Sequence, residues 1–277
     1  MYTFHHGTML DLISQDKVHQ KSMENACDTL DPLIIAAETG RRILEAGGET
    51  YRAEDVIVRL CKVWGFRDAE AFATPTGIMA SILDKNNQSR AVVRRITRRV
   101  VDLHRISRLD MLVRIAEQEQ LNVEELQKQL LEIDEERPYS IAITLLAAAL
   151  CASCFTLLFQ GSLSDAIGAF FVGLGIKSFA YLLNRWHFPD FITTIFGGAV
   201  AAFFTLITLR IGIIEHMDKT IIGSIMLLVP GLATVNAIRD TIAGDLVAGI
   251  ARLSDAIITA AALAIGAGAV FSLLRWL

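Results

Sequence analysis

The distribution of charged residues divides this 277-residue chain near Pro138. Residues 1–138 contain 19 Lys and Arg and 23 Asp and Glu, whereas residues 139–277 contain only 7 of each class. A long stretch so poor in charge and rich in apolar residues is typical of transmembrane helices. The sequence therefore predicts a soluble domain followed by an α-helical membrane domain.

In the first half, we expect a flexible tail over residues 1–31 and a small α+β domain over residues 32–138. Pro32 opens a helical pattern that Gly47 and Gly48 end, and a second helix follows over residues 50–63, with Thr50 as its cap. Residues 69–83 predict one bent strand or two strands, and residues 90–101 a returning strand. Helices are predicted again at 107–118 and 123–136, so the domain combines several helices with one short sheet.

Arginines are concentrated on the predicted returning strand, at positions 90, 94, 95, 98 and 99. The net charge of −4 and the absence of interleaved aromatic residues argue against binding to nucleic acid. Two interpretations remain open for this stretch: a solvated strand face, or a surface near anionic lipid headgroups.

Five apolar stretches in the second half predict five membrane spans, at residues 139–159, 165–183, 191–209, 220–238 and 246–274. No secretory signal is visible at the start, and the first half is charged with few cysteines. We therefore expect a multi-pass membrane protein with a cytoplasmic N-terminal domain. Five spans would place the C-terminus on the opposite side.

Polar residues interrupt the apolar sequence between residues 227 and 255. Pro230 followed by Gly231 would break the fourth span near its middle, because proline removes a backbone donor and clashes with the preceding turn. Helices broken at mid-membrane form the substrate sites of many transporters. A kink kept only for packing is the alternative, but the polar residues that follow favour a binding site.

The chemistry of these polar residues suggests a substrate site. Asn236 and Asp240 are four apart and share a helical face, while Arg252 and Asp255 are three apart and could form an ion pair. The predicted substrate-binding set is therefore Pro230, Gly231, Asn236, Asp240, Arg252 and Asp255. Lys177 in the second span, Arg239 and Asp245 are additional candidates, although the last two could instead belong to a charged loop at the membrane surface.

Motifs of soluble enzymes are absent from the sequence. It has no glycine-rich phosphate loop, G-x-S-x-G or H-E-x-x-H motif, and no Cys/His cluster with the spacing of metal ligands. Cys151 and Cys154 are interpreted as packing residues. We therefore predict no enzymatic activity, no cofactor and no metal, and a transport process driven by ion or substrate gradients.

The polar stretch also carries a family resemblance. Pro230-Gly231, Asn236, Asp240, Gly244, Gly249 and Ala251-Arg252 resemble, in their spacing, the signature of the threonine/serine exporter (ThrE-type) family, in its split YjjP-like branch. Gly47-Gly48-Glu49 and the segment FATPTG at residues 72–77 are similar to the N-terminal domain of that family.

The resemblance implies a component of an inner-membrane exporter for small amino acids such as threonine and serine, or for small dicarboxylates. It also implies a cytoplasmic N-terminal domain and a second small membrane subunit that supplies further spans. A homo-oligomer and contacts with membrane lipid are also expected. The alternative is a membrane-anchored regulatory or scaffold subunit whose cytoplasmic domain controls the transport path of a partner.

Overall fold

The computed structural model describes residues 31–84, 87–136, 139–186 and 188–275, so the predicted tail lies almost entirely outside the described residues. The chain forms two compact units, which are divided between Glu136 and Arg137. Each unit is described separately below.

The described residues of the N-terminal unit form four helices and three strands. In chain order they are α1 Pro32–Glu45, α2 Thr50–Val63, β1 Ala69–Thr74, β2 Gly77–Leu83, β3 Ser89–Arg95, α3 Leu103–Glu119 and α4 Val123–Glu135. The strands form an antiparallel sheet in the order β1-β2-β3. The two-strand interpretation of residues 69–83 is therefore confirmed.

Helix boundaries in this unit follow from local chemistry. The Asp31 side chain accepts a hydrogen bond from the Leu33 amide at 3.1 Å, and Pro32 occupies the first turn, where its missing donor costs nothing. Gly47 follows the helix with φ of 84°, a value that glycine adopts without strain. The predicted cap at Thr50 is wrong: Thr50 is already helical, and Glu49 occupies the capping position.

The predicted returning strand is shorter than expected, because β3 ends at Arg95. The chain beyond it bonds instead to the end of α1. The Val100 amide donates to the Glu45 carbonyl at 2.8 Å, and the Asp102 amide donates to the Ala46 carbonyl at 3.0 Å. These bonds satisfy carbonyls that a helix end leaves without partners.

The buried side chain of Arg42 links helices α1 and α4. Arg42 is only 4% exposed, and its guanidinium lies 2.6 Å from Asp134 on α4 and 2.7 Å from Glu38 one turn earlier. Burial raises the pKa of Glu38, but the hydrogen bond from Arg41 and the nearby arginine charges outweigh it, so the pKa is lowered overall.

The second unit is helical in its described residues. It contains α5 Ile141–Leu158, α6 Leu163–Arg185, α7 Asp190–Arg210, α8 Met217–Ile225, α9 Gly231–Ala243 and α10 Leu246–Arg275. Four of these, α5, α6, α7 and α10, are long and apolar enough to cross a membrane. These four helices indicate a multi-pass membrane protein.

Small residues allow these helices to approach each other closely. A Cβ at Gly173 of α6 would lie 2.8 Å from the Ala152 Cβ and 3.0 Å from the Ala148 carbonyl of α5. A Cβ at Gly266 of α10 would overlap the Ile195 carbonyl of α7. Because lipid tails are as apolar as the side chains, the hydrophobic effect does not hold membrane helices together. Small residues let the helix backbones come close, which strengthens van der Waals packing.

Candidate functional site

The predicted fourth span is two short helices rather than one kinked helix. Helix α8 ends at Ile225, five residues before the proline, and α9 begins at Gly231. Tight turns connect them: the Leu228 amide donates to the Ile225 carbonyl at 2.8 Å, and the Gly231 amide donates to the Val229 carbonyl at 2.8 Å. Neither helix alone reaches the length of a span, so four spanning helices are found among the described residues where five were predicted.

Pro230 starts α9 instead of bending a continuous helix. It occupies the N-cap position, and its carbonyl accepts a hydrogen bond from the Thr234 amide at 3.0 Å. Proline suits the beginning of a helix because the first amides have no acceptor in any case. A Cβ at Gly231 would meet no atom within 4 Å, so the start of α9 adjoins open space.

A tight turn folds α9 back onto α10. Gly244 has φ of 97° and ends α9, and the Asp245 amide donates to the Asp240 carbonyl at 2.9 Å. A Cβ at Gly249 would lie 3.0 Å from the Ala237 carbonyl, so the two backbones approach closely at this point. The buried residues of α9, Asn236, Ala237 and Asp240, lie on one face.

Asp240 and Arg252 form an ion pair between these two helices. Arg252 Nε lies 2.9 Å from Asp240 Oδ2, and both side chains are buried, Asp240 completely and Arg252 at 7% exposure. Asn236 is also buried, at 2% exposure, one turn before Asp240. The pair neutralises two charges that would each be costly in an apolar bundle.

The structure separates the predicted site residues into two groups. Asn236, Asp240 and Arg252 are buried where α9 and α10 meet. Four others lie away from this buried group: Lys177, Arg239 and Asp255 are exposed, and Asp245 is half-buried in the turn. Sequence spacing suggested Asp255 as the partner of Arg252, whereas the buried ion pair joins Arg252 to Asp240.

A second polar centre was not predicted from the sequence. Asp165 is fully buried at the start of α6, and it accepts hydrogen bonds from the Glu215 and His216 amides at 2.8 and 2.9 Å. His216 Nδ1 lies 2.9 Å from its other oxygen. In the sequence, Ser162 and Asp165 have the spacing of a capping box, which indicates the start of a helix. This spacing does not indicate that the loop containing Glu215 and His216 donates hydrogen bonds to Asp165.

No group of three or more His, Cys, Asp or Glu residues within the described ranges could hold a metal ion. In the first polar centre, Asp240 and Arg252 form an ion pair. In the second, Asp165 accepts hydrogen bonds from backbone amides.

Comparison with known proteins gives a consistent family match. The ThrE family model, which describes threonine/serine exporters, matches residues 34–274. A protein of Klebsiella aerogenes named probable succinate transporter subunit YjjP is 24% identical over 94% of this chain and 96% of its own length. The protein of the same name from Escherichia coli is 24% identical over 87% of this chain and 93% of its own length.

A longer relative also matches. A Mycobacterium tuberculosis protein named probable threonine/serine exporter is 25% identical over 85% of this chain, but the match covers only 49% of that protein. No solved structure matches the chain. Since the family model covers nearly the whole sequence, from α1 to the last turn of α10, this chain belongs to the threonine/serine exporter family.

Proposed function

We propose that the chain is a component of an inner-membrane secondary exporter for small amino acids of the threonine/serine type or for small dicarboxylates. The observation that carries the proposal is the buried Asp240–Arg252 pair, which joins the helix after the break in the predicted fourth span to the helix of the predicted fifth span. The family match supports export of threonine or serine, and the names of two relatives support a dicarboxylate.

In this proposal, residues 32–138 form a cytoplasmic domain and residues 139–277 a membrane domain with five crossings. Helices α8 and α9 would cross in series, since their 9 and 13 residues at about 1.5 Å per residue give roughly the ~30 Å of a bilayer core. A second membrane subunit would supply the remaining helices of the transport path. The broken fourth crossing would then present the start of α9 within the membrane.

The Asp240–Arg252 pair determines which class of substrate the site prefers. A zwitterionic amino acid can replace both halves of the pair, with its ammonium on Asp240, its carboxylate on Arg252 and a hydrogen bond from Asn236. The net charge of the site then stays at zero. A dicarboxylate can bind Arg252 only while facing the Asp240 carboxylate, so it requires a proton on Asp240. The site therefore favours zwitterions, or couples dicarboxylate export to proton movement.

Transport measurements in proteoliposomes that contain both subunits test this proposal. We expect labelled threonine, serine and succinate to distinguish the two substrate classes, and Asp240→Asn and Arg252→Gln to reduce transport at least tenfold. Arg210→Gln provides the control, because Arg210 is an exposed charge of the same membrane unit and is not a predicted site residue.

Wild-type rates for both Asp240→Asn and Arg252→Gln would contradict the site. Transport by the second subunit alone, at a rate that this chain changes only through its N-terminal domain, would contradict the exporter function and favour a regulatory subunit.

A further inference from the structure

An exposed segment of the N-terminal unit combines arginines with large apolar side chains. We call residues 95–103, from the last residue of β3 to the first residue of α3, the basic segment. Its exposed side chains include three arginines and three apolar residues: Arg95, Arg98, Arg99, Val100, Val101 and Leu103. The three apolar side chains are 63–68% exposed. Apart from Val93 on β3, no other large apolar side chain described in this unit is exposed to this degree.

Backbone hydrogen bonds hold the basic segment in place. The Ile96 amide donates to the Thr76 carbonyl at 3.0 Å, and the Ile96 side chain is buried. Further along, the amides of Val100 and Asp102 donate to carbonyls at the end of α1. The backbone is therefore anchored at both ends of the segment, and it presents the arginine and valine side chains outward from a fixed position.

An anionic lipid surface suits both kinds of side chain in the basic segment. Other arginines of this unit pair with carboxylates, as Arg59 does with Glu117, whereas no such pair is found for Arg95 or Arg98 among the described residues. Lipid phosphates can accept hydrogen bonds from guanidinium groups, and apolar side chains can enter the boundary between headgroups and acyl chains. A nucleic acid would satisfy the arginines but leave the apolar side chains in water.

The basic segment ends beside the residue from which the chain continues into the membrane unit. His104 Nε2, one residue after the segment, lies 3.1 Å from Glu136 Oε2, and Arg108 Nε lies 2.8 Å from Glu136 Oε1. Glu136 is the last residue of the N-terminal unit, and the spanning helix α5 begins five residues later, at Ile141. Five residues reach at most about 18 Å when fully extended. A bilayer crossed by α5 is therefore within reach of the basic segment.

We infer that the basic segment binds anionic lipid headgroups of the membrane that this chain spans. The arginines contact lipid phosphates, while Val100, Val101 and Leu103 enter the interfacial layer. Of the two interpretations that the arginine pattern left open, this is the lipid surface rather than the solvated strand face. The binding depends neither on the transported substrate nor on the Asp240–Arg252 site, so it goes beyond the proposed function.

Fluorescence quenching of the full-length chain in lipid nanodiscs tests the inference. A fluorescent amino acid replaces Val100, and a nitroxide on a fraction of the lipid headgroups serves as the quencher. The discs contain phosphatidylcholine, either alone or mixed with anionic phosphatidylglycerol. The control position for the fluorophore is Glu119, which is exposed at the other end of α3, about 24 Å from Leu103 at 1.5 Å per residue.

We expect quenching at position 100 to be about threefold stronger, or more, in discs that contain phosphatidylglycerol. This difference should vanish at about 1 M salt, where the Debye length falls to about 3 Å. Position 119 should show no such difference.

Charge substitutions connect the quenching to the arginines. Arg95→Gln with Arg98→Gln should remove the effect of anionic lipid, because each arginine near an anionic surface contributes roughly a fivefold preference. Arg95→Lys with Arg98→Lys keeps both charges and should retain most of the effect. Lys62→Gln with Arg67→Gln removes the same charge from two exposed residues at the end of α2 and just beyond it, and it should leave the quenching unchanged.

Several results would overturn the inference. They are equal quenching at position 100 in both kinds of disc, equal quenching at positions 100 and 119, and quenching that Arg95→Gln with Arg98→Gln leaves unchanged. An equal loss in Lys62→Gln with Arg67→Gln would show that only the total charge matters, which also contradicts a specific surface. If the basic segment instead binds another protein, discs that contain this chain alone would show no quenching at position 100.

Discussion

Gly249→Ala tests the candidate site without changing any of its polar residues. A Cβ at this position would overlap Thr241 Oγ1 and lie 3.0 Å from the Ala237 carbonyl and 3.1 Å from the Thr241 amide nitrogen. The carbonyl oxygen and the amide nitrogen are backbone atoms of α9, so rotation of the Thr241 side chain cannot relieve all of the overlap. Helix α9 must therefore move away from α10.

The size of the movement follows from these distances. Atoms in ordinary contact are about 3.5 Å apart, so α9 must shift by roughly 0.5 Å. The same shift would lengthen the Asp240–Arg252 contact from 2.9 Å to roughly 3.4 Å. Overpacking of this kind costs about 1–3 kcal/mol. Because a small misplacement of a binding group is expensive in rate, we expect about a tenfold loss of transport.

Thermal unfolding at a fixed scan rate and transport in proteoliposomes measure the two effects. At about 2–4 °C per kcal/mol for a chain of this size, Gly249→Ala should lower the apparent Tm by about 2–12 °C. Gly268→Ala is the matched control on the same helix, because a Cβ there would meet no atom within 4 Å. It should be neutral or stabilising by up to ~1 kcal/mol, since alanine favours helices.

A second substitution distinguishes overlap from other effects of the methyl group. Thr241→Ala in the Gly249→Ala background removes the most severe overlap and should recover part of both the Tm and the transport rate. If Gly249→Ala leaves both quantities unchanged, or if Gly268→Ala lowers them equally, the close packing of α9 on α10 does not position the site.

Three further predictions concern other parts of the chain. Asp165→Asn should lower the free energy of unfolding by roughly 2–4 kcal/mol, because an NH2 group replaces the oxygen that accepts from the Ser162 amide and faces His216 Nδ1. The apparent Tm in detergent measures this loss. Arg42→Gln should cost about 1–3 kcal/mol in denaturant unfolding, because it removes the charge-assisted bonds that a buried guanidinium makes to Glu38 and Asp134. Arg59→Gln, a partly exposed control, should cost under about 1 kcal/mol, and equal losses would contradict the burial argument. Because the Glu38 pKa is lowered in the folded chain, its contribution to stability is present above its unfolded pKa and is lost as the pH falls through the folded value. Unfolding between pH 7 and 3 should show this loss in the wild type and a smaller one in Glu38→Gln.

The fold class and most helix positions could be predicted from local patterns. Charge depletion after Pro138 identified the membrane unit, because a bilayer excludes charge wherever a helix faces lipid. Caps and turns such as Asp31 and Gly47 located helix ends in the first unit, since these interactions join residues close in sequence.

The fourth span shows where local patterns were insufficient. The sequence located the break at Pro230, but it did not predict that α8 ends at Ile225, because the four residues before the proline, Met226 to Val229, are apolar and compatible with a helix. Their turns depend on packing: Leu227 and Leu228 lie against the Val172, Ile176 and Ala201 cluster of α6 and α7.

By itself, the sequence determined the division into a charged and an apolar half, the helix break, the chemical types of the site residues and the family. Only the tertiary structure decided that Arg252 pairs with Asp240, that Asp165 holds the α7–α8 loop, and that Arg239 and Asp255 lie on an exposed surface. The physical reason is that helical spacing specifies neighbours three or four residues apart. Contacts between helices depend instead on how closely the backbones approach, which small residues such as Gly249 permit here.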